Sequence, residues 1–148
     1  MEKSDTLVRF YENVDPSLLK YAVIVARCRG KWVLCRHRDR KTWEVPGGHR
    51  EPGEEIGHAA RRELFEETGA LRYALTRVCV YSVTGAVNGG KELFGMLYFA
   101  EIGEFGPLPK FEMAEIALRD DFPDPDSLTY PEIQPELFRR AQKLIEEK

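Results

Sequence analysis

Residues 48–70 read GHREPGEEIGHAARRELFEETGA, and this stretch decides the fold. From Glu54 to Thr68 it is rich in strong helix formers, and apolar residues recur at every fourth position between Ile56 and Leu64. Gly69 follows directly, where a helix C-cap glycine belongs. The pattern predicts a helix of about four turns over 54–68, packed against a sheet through its small and aliphatic side chains.

Three carboxylates lie on one face of this helix. Glu63, Glu66 and Glu67 stand at i, i+3 and i+4, so their side chains converge. Like charges at this spacing destabilise an isolated helix unless a cation neutralises them. An all-oxygen site suits a hard divalent ion such as Mg²⁺ or Mn²⁺. The alternative is a solvated acidic face, which is the usual explanation for a charge-rich helix.

The surrounding residues favour the metal site over the solvated face. Gly47 and Gly48 end the short strand WEVPGG and allow a tight turn whose carbonyl can reach the carboxylates. Arg62 is adjacent to Glu63 and could orient a carboxylate of the cluster. Glu54 lies about two turns earlier on the same predicted helix.

The stretch resembles the Nudix box, whose pattern is Gly-x5-Glu-x7-Arg-Glu-hydrophobic-x-Glu-Glu-x-Gly-hydrophobic. The pattern is met by Gly48, Glu54, Arg62, Glu63, Leu64, Glu66, Glu67 and Gly69, with Ala70 in place of a larger aliphatic residue at the last position. By this resemblance the chain is identified as a member of the Nudix hydrolase superfamily. The upstream sequence HRDRKTWEVPGG (37–48) is similar to a subgroup described as 8-oxo-dGTP diphosphatase-like.

The resemblance implies an α/β/α sandwich with a mixed sheet, and hydrolysis by attack of water at phosphorus. It implies Mg²⁺ or Mn²⁺ as cofactor, with these metal ligands: Glu63, Glu66, Glu67 and the backbone carbonyl of Gly48. Glu63 and Glu66 are joint candidates for the general base. Arg62 and Glu54 would fix the orientation of the ligands.

Many relatives supply one further carboxylate after the central hairpin. Glu112 is the first choice for this ligand, because it precedes the apolar run 113–118, and Glu115 is the alternative. A solvent-facing glutamate explains each of them equally well.

The substrate class is implied by the same resemblance: a nucleoside triphosphate or diphosphate, including an oxidised purine nucleotide such as 8-oxo-dGTP. Arg36 and Arg38, in the basic run 36–41, are candidates for contact with its phosphates, and a plain surface loop explains the run as well. The alternatives are removal of pyrophosphate from a 5′-triphosphate RNA end, hydrolysis of a nucleotide sugar, and a non-catalytic regulatory domain. A net charge of −3 argues against a protein that coats nucleic acid.

The rest of the chain predicts strands at 20–28, 32–36, 43–48, 71–83 and 92–102, a short apolar and acidic run at 111–118, and a C-terminal amphipathic helix within 131–148. Strands surrounding a central helix predict one mixed α/β domain over residues 1–148, with the box at 48–70.

Composition limits the setting. Cys28, Cys35 and Cys79 lie in strand-like runs without CxxC spacing, which favours reduced, buried thiols over a zinc cluster. The charged N-terminus lacks a signal peptide and no apolar run is long enough to span a membrane, so we expect a cytoplasmic protein with no membrane partner. Monomer and homodimer both remain open.

Overall fold

The computed structural model describes residues 5–147. The predictions that concern residues 1–4 and Lys148, at the ends of the domain and of the C-terminal helix, lie outside the described residues. The elements of the described chain are β1 (Leu7–Tyr11), β2 (Leu19–Cys28), β3 (Lys31–His37), β4 (Gly47–His49), α1 (Ile56–Thr68), β5 (Ala70–Thr84), β6 (Glu92–Phe105), β7 (Met113–Arg119) and α2 (Gln134–Glu146).

The strands form one mixed sheet in the order β1-β5-β6-β2-β3-β7, and β4 pairs with β2. β2 and β6 are parallel, whereas the other pairs are antiparallel. Each face of the sheet carries its own apolar core: α1 packs on one and α2 on the other. The predicted α/β class and α/β/α layering are therefore confirmed.

Small side chains bring α1 close to the sheet. Ala59, Ala60 and Leu64 are fully buried between the helix and the strands, as their spacing predicts. On the opposite face, α2 buries Leu137 and Phe138 against β5 and β6. No helix within residues 5–147 combines the length and the apolarity that a membrane span requires.

The helix begins later than predicted. Glu54 precedes α1, because Gly53 has a positive φ of 78° and the amide of Glu54 closes a turn onto the carbonyl of Glu51. Glu55 is still extended and caps the helix, which starts at Ile56. The strong helix propensity of the two glutamates yields here to the Pro-Gly turn before them.

Two strands also differ from the sequence prediction. β1 was not predicted: LVRFY is a short edge strand, in which Val8 and Phe10 pack against one core and Tyr11 packs against the other. The predicted strand over 43–48 is interrupted instead. Glu44 makes a single bridge to Cys35, and regular pairing with β2 begins only at Gly47.

Candidate active site

Gly47, which precedes the box, and Gly48, its first residue, lie in β4 rather than in the predicted tight turn. Neither has a positive φ, and both pair with β2. A Cβ on Gly48 would lie 2.6 Å from the carboxylate carbon of Glu63, and a Cβ on Gly47 would lie 2.6 Å from the carbonyl oxygen of Ala22. A side chain at Gly47 would collide with the backbone of β2, whereas one at Gly48 would displace the carboxylate of Glu63.

The alternation of the β2–β4 ladder decides where the peptide groups of the glycines point. Ile24 donates to Pro46 and Arg50 donates to Lys20, so the hydrogen-bonded pair between them is Ala22 with Gly48. The carbonyl of Gly48, predicted as a metal ligand, is therefore directed at β2. The peptide groups of Gly47 face the free edge of β4, on the side of the carboxylates.

Glu67 is the most buried carboxylate of the cluster. Its Oε1 accepts a hydrogen bond of 2.7 Å from the amide of Gly47, and its side chain is only about 7 % exposed. Burial raises the pKa of Glu67 to about 9; the Gly47 hydrogen bond opposes this shift, and repulsion from Glu63, Glu44 and Glu112 adds to it. The site therefore holds a carboxylate that strongly favours a positive partner.

Arg62 ties the neighbouring carboxylates together. Its Nε and Nη2 donate to the two oxygens of Glu54 at 2.8 and 2.9 Å, and Nη1 donates to Glu63 at 2.9 Å and to Glu66 at 3.4 Å. Nη2 also donates to the carbonyl of His49 at 3.0 Å. One guanidinium thus connects the loop before α1, the helix itself and β4.

The same contacts set the pKa of Glu54. Its hydrogen bonds with Arg62, more than any other effect, lower the pKa of that carboxyl to about 2. Glu54 reaches Arg62 from the loop that precedes α1, and not from two turns earlier on the same helix as its spacing indicated.

The donor set fits a hard divalent cation. Glu63, Glu66 and Glu67 offer only oxygens, and burial raises the pKa of Glu63, opposed by Arg62 and reinforced by Glu66 and Glu112. A bound cation would remove this repulsion. Among residues 5–147 no three His, Cys, Asp or Glu side chains form a closed metal site. Arg62 and the amide of Gly47 hold the carboxylates instead.

Glu112 and Glu115 have different surroundings. Glu112 lies immediately before β7, and its charge acts on both Glu63 and Glu67. Glu115 lies within β7 and forms an ion pair of 2.7 Å with Nε of Arg36. Of the two, Glu112 is the one whose charge acts on the cluster.

The family model for the NUDIX domain matches residues 18–140. This chain belongs to the Nudix family. The match covers β2 to β7, the box and the first half of α2.

Relatives within the Nudix family carry different names. "Putative 8-oxo-dGTP diphosphatase YtkD" of Bacillus subtilis is 41 % identical over 83 residues, which are 56 % of this chain and 50 % of that protein. The RNA pyrophosphohydrolase of Bartonella henselae is 31 % identical over 118 residues, 63 % of this chain and 68 % of that protein. The crystal structure of the pyrophosphohydrolase BsRppH of Bacillus subtilis superposes with a TM-score of 0.77 at 27 % identity, covering 96 % of this chain and 95 % of the other. This chain spans about half the length of the first curated relatives it matches.

The arginines upstream of the Nudix box contact the protein itself. Arg36 donates to Glu115 and, at 2.8 Å, to the carbonyl of Arg40, while Arg38 donates to the carbonyl of Phe111 at 3.1 Å. Neither side chain contacts a carboxylate of the cluster. Their predicted contact with substrate phosphates stays a prediction.

Sequence reasoning missed two buried polar residues beside the site. Glu44, only about 7 % exposed, pairs with Arg40 at 3.3 Å and acts on the pKa of Glu67. Gln134, at the start of α2, accepts a hydrogen bond of 2.9 Å from the amide of Val45. Their polarity indicated surface positions, and only the interrupted strand at WEVPGG could have indicated otherwise.

The three cysteines match the prediction. Cys28, Cys35 and Cys79 are all free and buried. Burial raises the pKa of Cys35, and the negative charges of Glu67, Glu44 and Glu63 raise it further. A thiol in such surroundings is unreactive.

Proposed function

We propose that this Nudix chain is a divalent-metal-dependent pyrophosphohydrolase that cleaves a nucleoside triphosphate or diphosphate by attack of water at phosphorus. The observation that carries the proposal is the carboxylate cluster beside β4, where Glu63 and Glu67 repel each other in a partly buried, oxygen-only site. A protein retains such repulsion when a cation relieves it during function.

Mg²⁺ or Mn²⁺ would be held by the carboxylates of Glu63, Glu66 and Glu67, with a backbone carbonyl of β4 and Glu112 completing the protein ligands. Of the two candidate carbonyls, that of Gly47 is better placed than that of Gly48, because only Gly47 has its peptide groups on the free edge of the strand. The ion would neutralise the phosphate oxygens and increase the acidity of the attacking water.

Side chains of the protein orient the metal-binding carboxylates and take the proton from the attacking water. Arg62 and Glu54 hold Glu63 and Glu66 in fixed positions through charge-assisted hydrogen bonds. Glu63 or Glu66 then accepts the proton of the attacking water as the general base.

Two substrate classes compete. A relative named as a putative 8-oxo-dGTP diphosphatase, 41 % identical over 83 residues, supports a nucleoside triphosphate, with 8-oxo-dGTP as the oxidised candidate. A 5′-triphosphate RNA end is the second candidate, supported by the RNA pyrophosphohydrolase relative. The carboxylates of the cluster would act only on the phosphates, through the metal ion that they hold, so the cluster suits either substrate class. The buried free thiols support a reducing, cytoplasmic setting.

Hydrolysis of a substrate panel tests the proposal. Common and oxidised nucleoside triphosphates, nucleotide sugars and 5′-triphosphorylated RNA are incubated with Mg²⁺, with Mn²⁺ or with EDTA, and phosphate and pyrophosphate are measured separately. We expect metal-dependent release from one class, and a loss of about a thousandfold or more in kcat for E66Q and E67Q.

Glu112 and Glu115 provide a matched pair of variants. E112Q should lower kcat, whereas E115Q, which removes a charge outside the cluster, should leave it within about twofold of the wild type. Equal losses of kcat in the two variants would show that Glu112 is not part of the site. Full activity in EDTA, or no turnover of any substrate, would overturn the proposed function and favour a regulatory binding domain.

A further inference from the structure

The last residue of β3 continues the face of the sheet on which the carboxylate cluster lies. Val33, Cys35 and His37 alternate along the strand, and Val33 packs in the core beneath α1. Cys35 lies close enough to Glu67 and Glu63 for their charges to act on its thiol. His37 therefore projects from that same face, at the end of β3 and next to β7.

A β-bulge lies between β3 and β7 beside His37. Arg36 pairs with Glu115 and His37 pairs with Met113, so Ala114 is an extra residue on β7. Bulges bend a strand and re-aim the side chains beyond them, and they are frequent next to active sites. This bulge therefore sets the direction of the chain just before β7 begins.

Two hydrogen bonds join the turn after β3 to the segment that enters β7. The amide of Arg38 donates to the carbonyl of Glu112 at 3.0 Å, and the Arg38 guanidinium donates to the carbonyl of Phe111 at 3.1 Å. The amide of Arg40 closes the turn itself, since it donates to the carbonyl of His37 at 2.9 Å. The backbone of Glu112 is thus held in place, whereas its side chain is 70 % exposed and can move.

The hydrogen bond that His37 accepts determines which ring nitrogen carries the proton. Nδ1 accepts from the amide of Asp39 at 3.1 Å, so the ring proton is on Nε2. Nε2 lies 4.0 Å from Oε2 of Glu112. Closing that separation to a hydrogen bond requires a movement of about 1 Å, which the exposed end of the Glu112 side chain can make.

Glu112 is near enough to the cluster for this contact to affect a bound cation. Its negative charge acts on both Glu63 and Glu67 and contributes to the rise in their pKa values. An exposed carboxylate loses conformational freedom when it binds a cation, and a donor that already holds the carboxylate reduces that loss. Side chains that orient metal ligands in this way change metal affinity by about 10- to 100-fold.

We propose that His37 is a positioning residue for Glu112: its Nε2–H donates to the Glu112 carboxylate and holds that carboxylate as a ligand for the divalent cation of the cluster. The inference rests on the proposed function, because it presupposes the metal site at Glu63 and Glu67. It assigns His37, within the basic run 36–41, a role toward the metal ion rather than toward the phosphates of the substrate.

Binding of Mn²⁺ to the full chain without nucleotide tests the inference, and the EPR signal of free Mn²⁺ measures it. The amide nitrogen of glutamine is as many bonds from Cα as Nε2 of histidine, whereas the amide oxygen of asparagine matches Nδ1. H37Q therefore keeps a donor for Glu112, and H37N keeps only the acceptor for the amide of Asp39. H37N should raise the dissociation constant of Mn²⁺ about tenfold, and H37Q should keep it within about threefold of the wild type.

Two controls separate positioning from a general effect on the turn. E112Q should weaken Mn²⁺ binding at least as much as H37N, and adding H37N to E112Q should cause no further loss, because both residues act through one contact. D39N removes a carboxylate that lies 3.8 Å from Nδ1 of His37 but keeps the backbone amide, so it should bind Mn²⁺ as the wild type does.

The order of the two histidine variants decides the outcome. An affinity of H37Q as low as that of H37N, or lower, would overturn the inference, because the donor at Nε2 would then not matter. Wild-type affinity in H37N, or additive losses in the double variant, would also overturn it. Since the measurement needs no turnover, affinity that depends on His37 would support the inference even in a protein that cleaves no nucleotide. Hydrolysis by a protein whose Mn²⁺ affinity ignores His37 would refute the inference and leave the proposed function standing.

Discussion

Replacing Gly48 by alanine should damage catalysis while leaving the fold intact. The new Cβ would lie 2.6 Å from Cδ and Oε1 of Glu63 and 2.8 Å from its Oε2, so the carboxylate has to retreat by about 1 Å to restore ordinary contact. The end of a flexible side chain can move in this way, but a catalytic group displaced by this distance costs about a hundredfold in rate. We expect a fall of about a hundredfold in kcat and a change in the free energy of unfolding of less than about 1 kcal/mol.

Two other glycines calibrate this experiment. In G47A the Cβ would meet the backbone of Ala22 at 2.6 Å, which cannot move without shifting β2, so this variant should lose about 1–3 kcal/mol of stability. In G57A the nearest atom is Oη of Tyr98 at 3.7 Å, so both activity and stability should be retained or slightly improved. Steady-state kinetics and urea unfolding measure both quantities. Wild-type kcat in G48A, or a loss of stability as large as that in G47A, would refute the steric argument.

Three further predictions concern charge and thiols. E54Q should lose about 1–2 kcal/mol of unfolding free energy at pH 7, because it weakens the charge-assisted hydrogen bonds to Arg62. The difference in stability from the wild type should disappear below pH 4.5, as the native carboxyl is protonated toward its pKa of about 2. An unchanged difference at pH 2 in thermal melts would contradict this prediction. In EDTA the wild type should lose stability between pH 4.5 and 9 relative to E67Q, because the native pKa of Glu67 lies at about 9 and the unfolded chain releases that proton first. Mg²⁺ should then raise the Tm of the wild type more at pH 8 than at pH 6. A parallel pH dependence of stability in the two proteins would count against this prediction. The native protein should react slowly with a thiol reagent, since Cys35 is fully buried among carboxylates, and rapid modification with loss of activity would be the opposite outcome.

The sequence was most informative where a single local pattern governs the structure. Carboxylates at i, i+3 and i+4 of a helix share one face, and alternating apolar residues predict strands. Both predictions hold because these periods follow from backbone geometry alone. The sequence was less informative where close packing between elements that are distant along the chain determines the structure. Gly47 and Gly48 were predicted to end a strand in a tight turn, because a glycine pair indicates backbone freedom and does not reveal that Glu63 and Ala22 lie where a side chain would be.

Long-range pairing explains the remaining differences. The sequence made Glu112 the first choice and kept Glu115 as the alternative, and only the β3–β7 register shows that Glu115 faces Arg36.

The parallel pairing of β2 with β6 also has a consequence for synthesis of the protein. β3 and β4 follow β2 closely along the chain, but the other edge of β2 pairs with β6. Tyr21 of β2 can therefore pair with Gly95 only after Gly95 has been synthesised. Until then the ribosome-bound chain presents one unpaired edge of the apolar segment 23–26, and closing so long a loop is slow. The nascent chain is therefore most prone to aggregate after residue 50 and before residue 95 has left the ribosome, and we expect chaperone dependence to be concentrated in that interval.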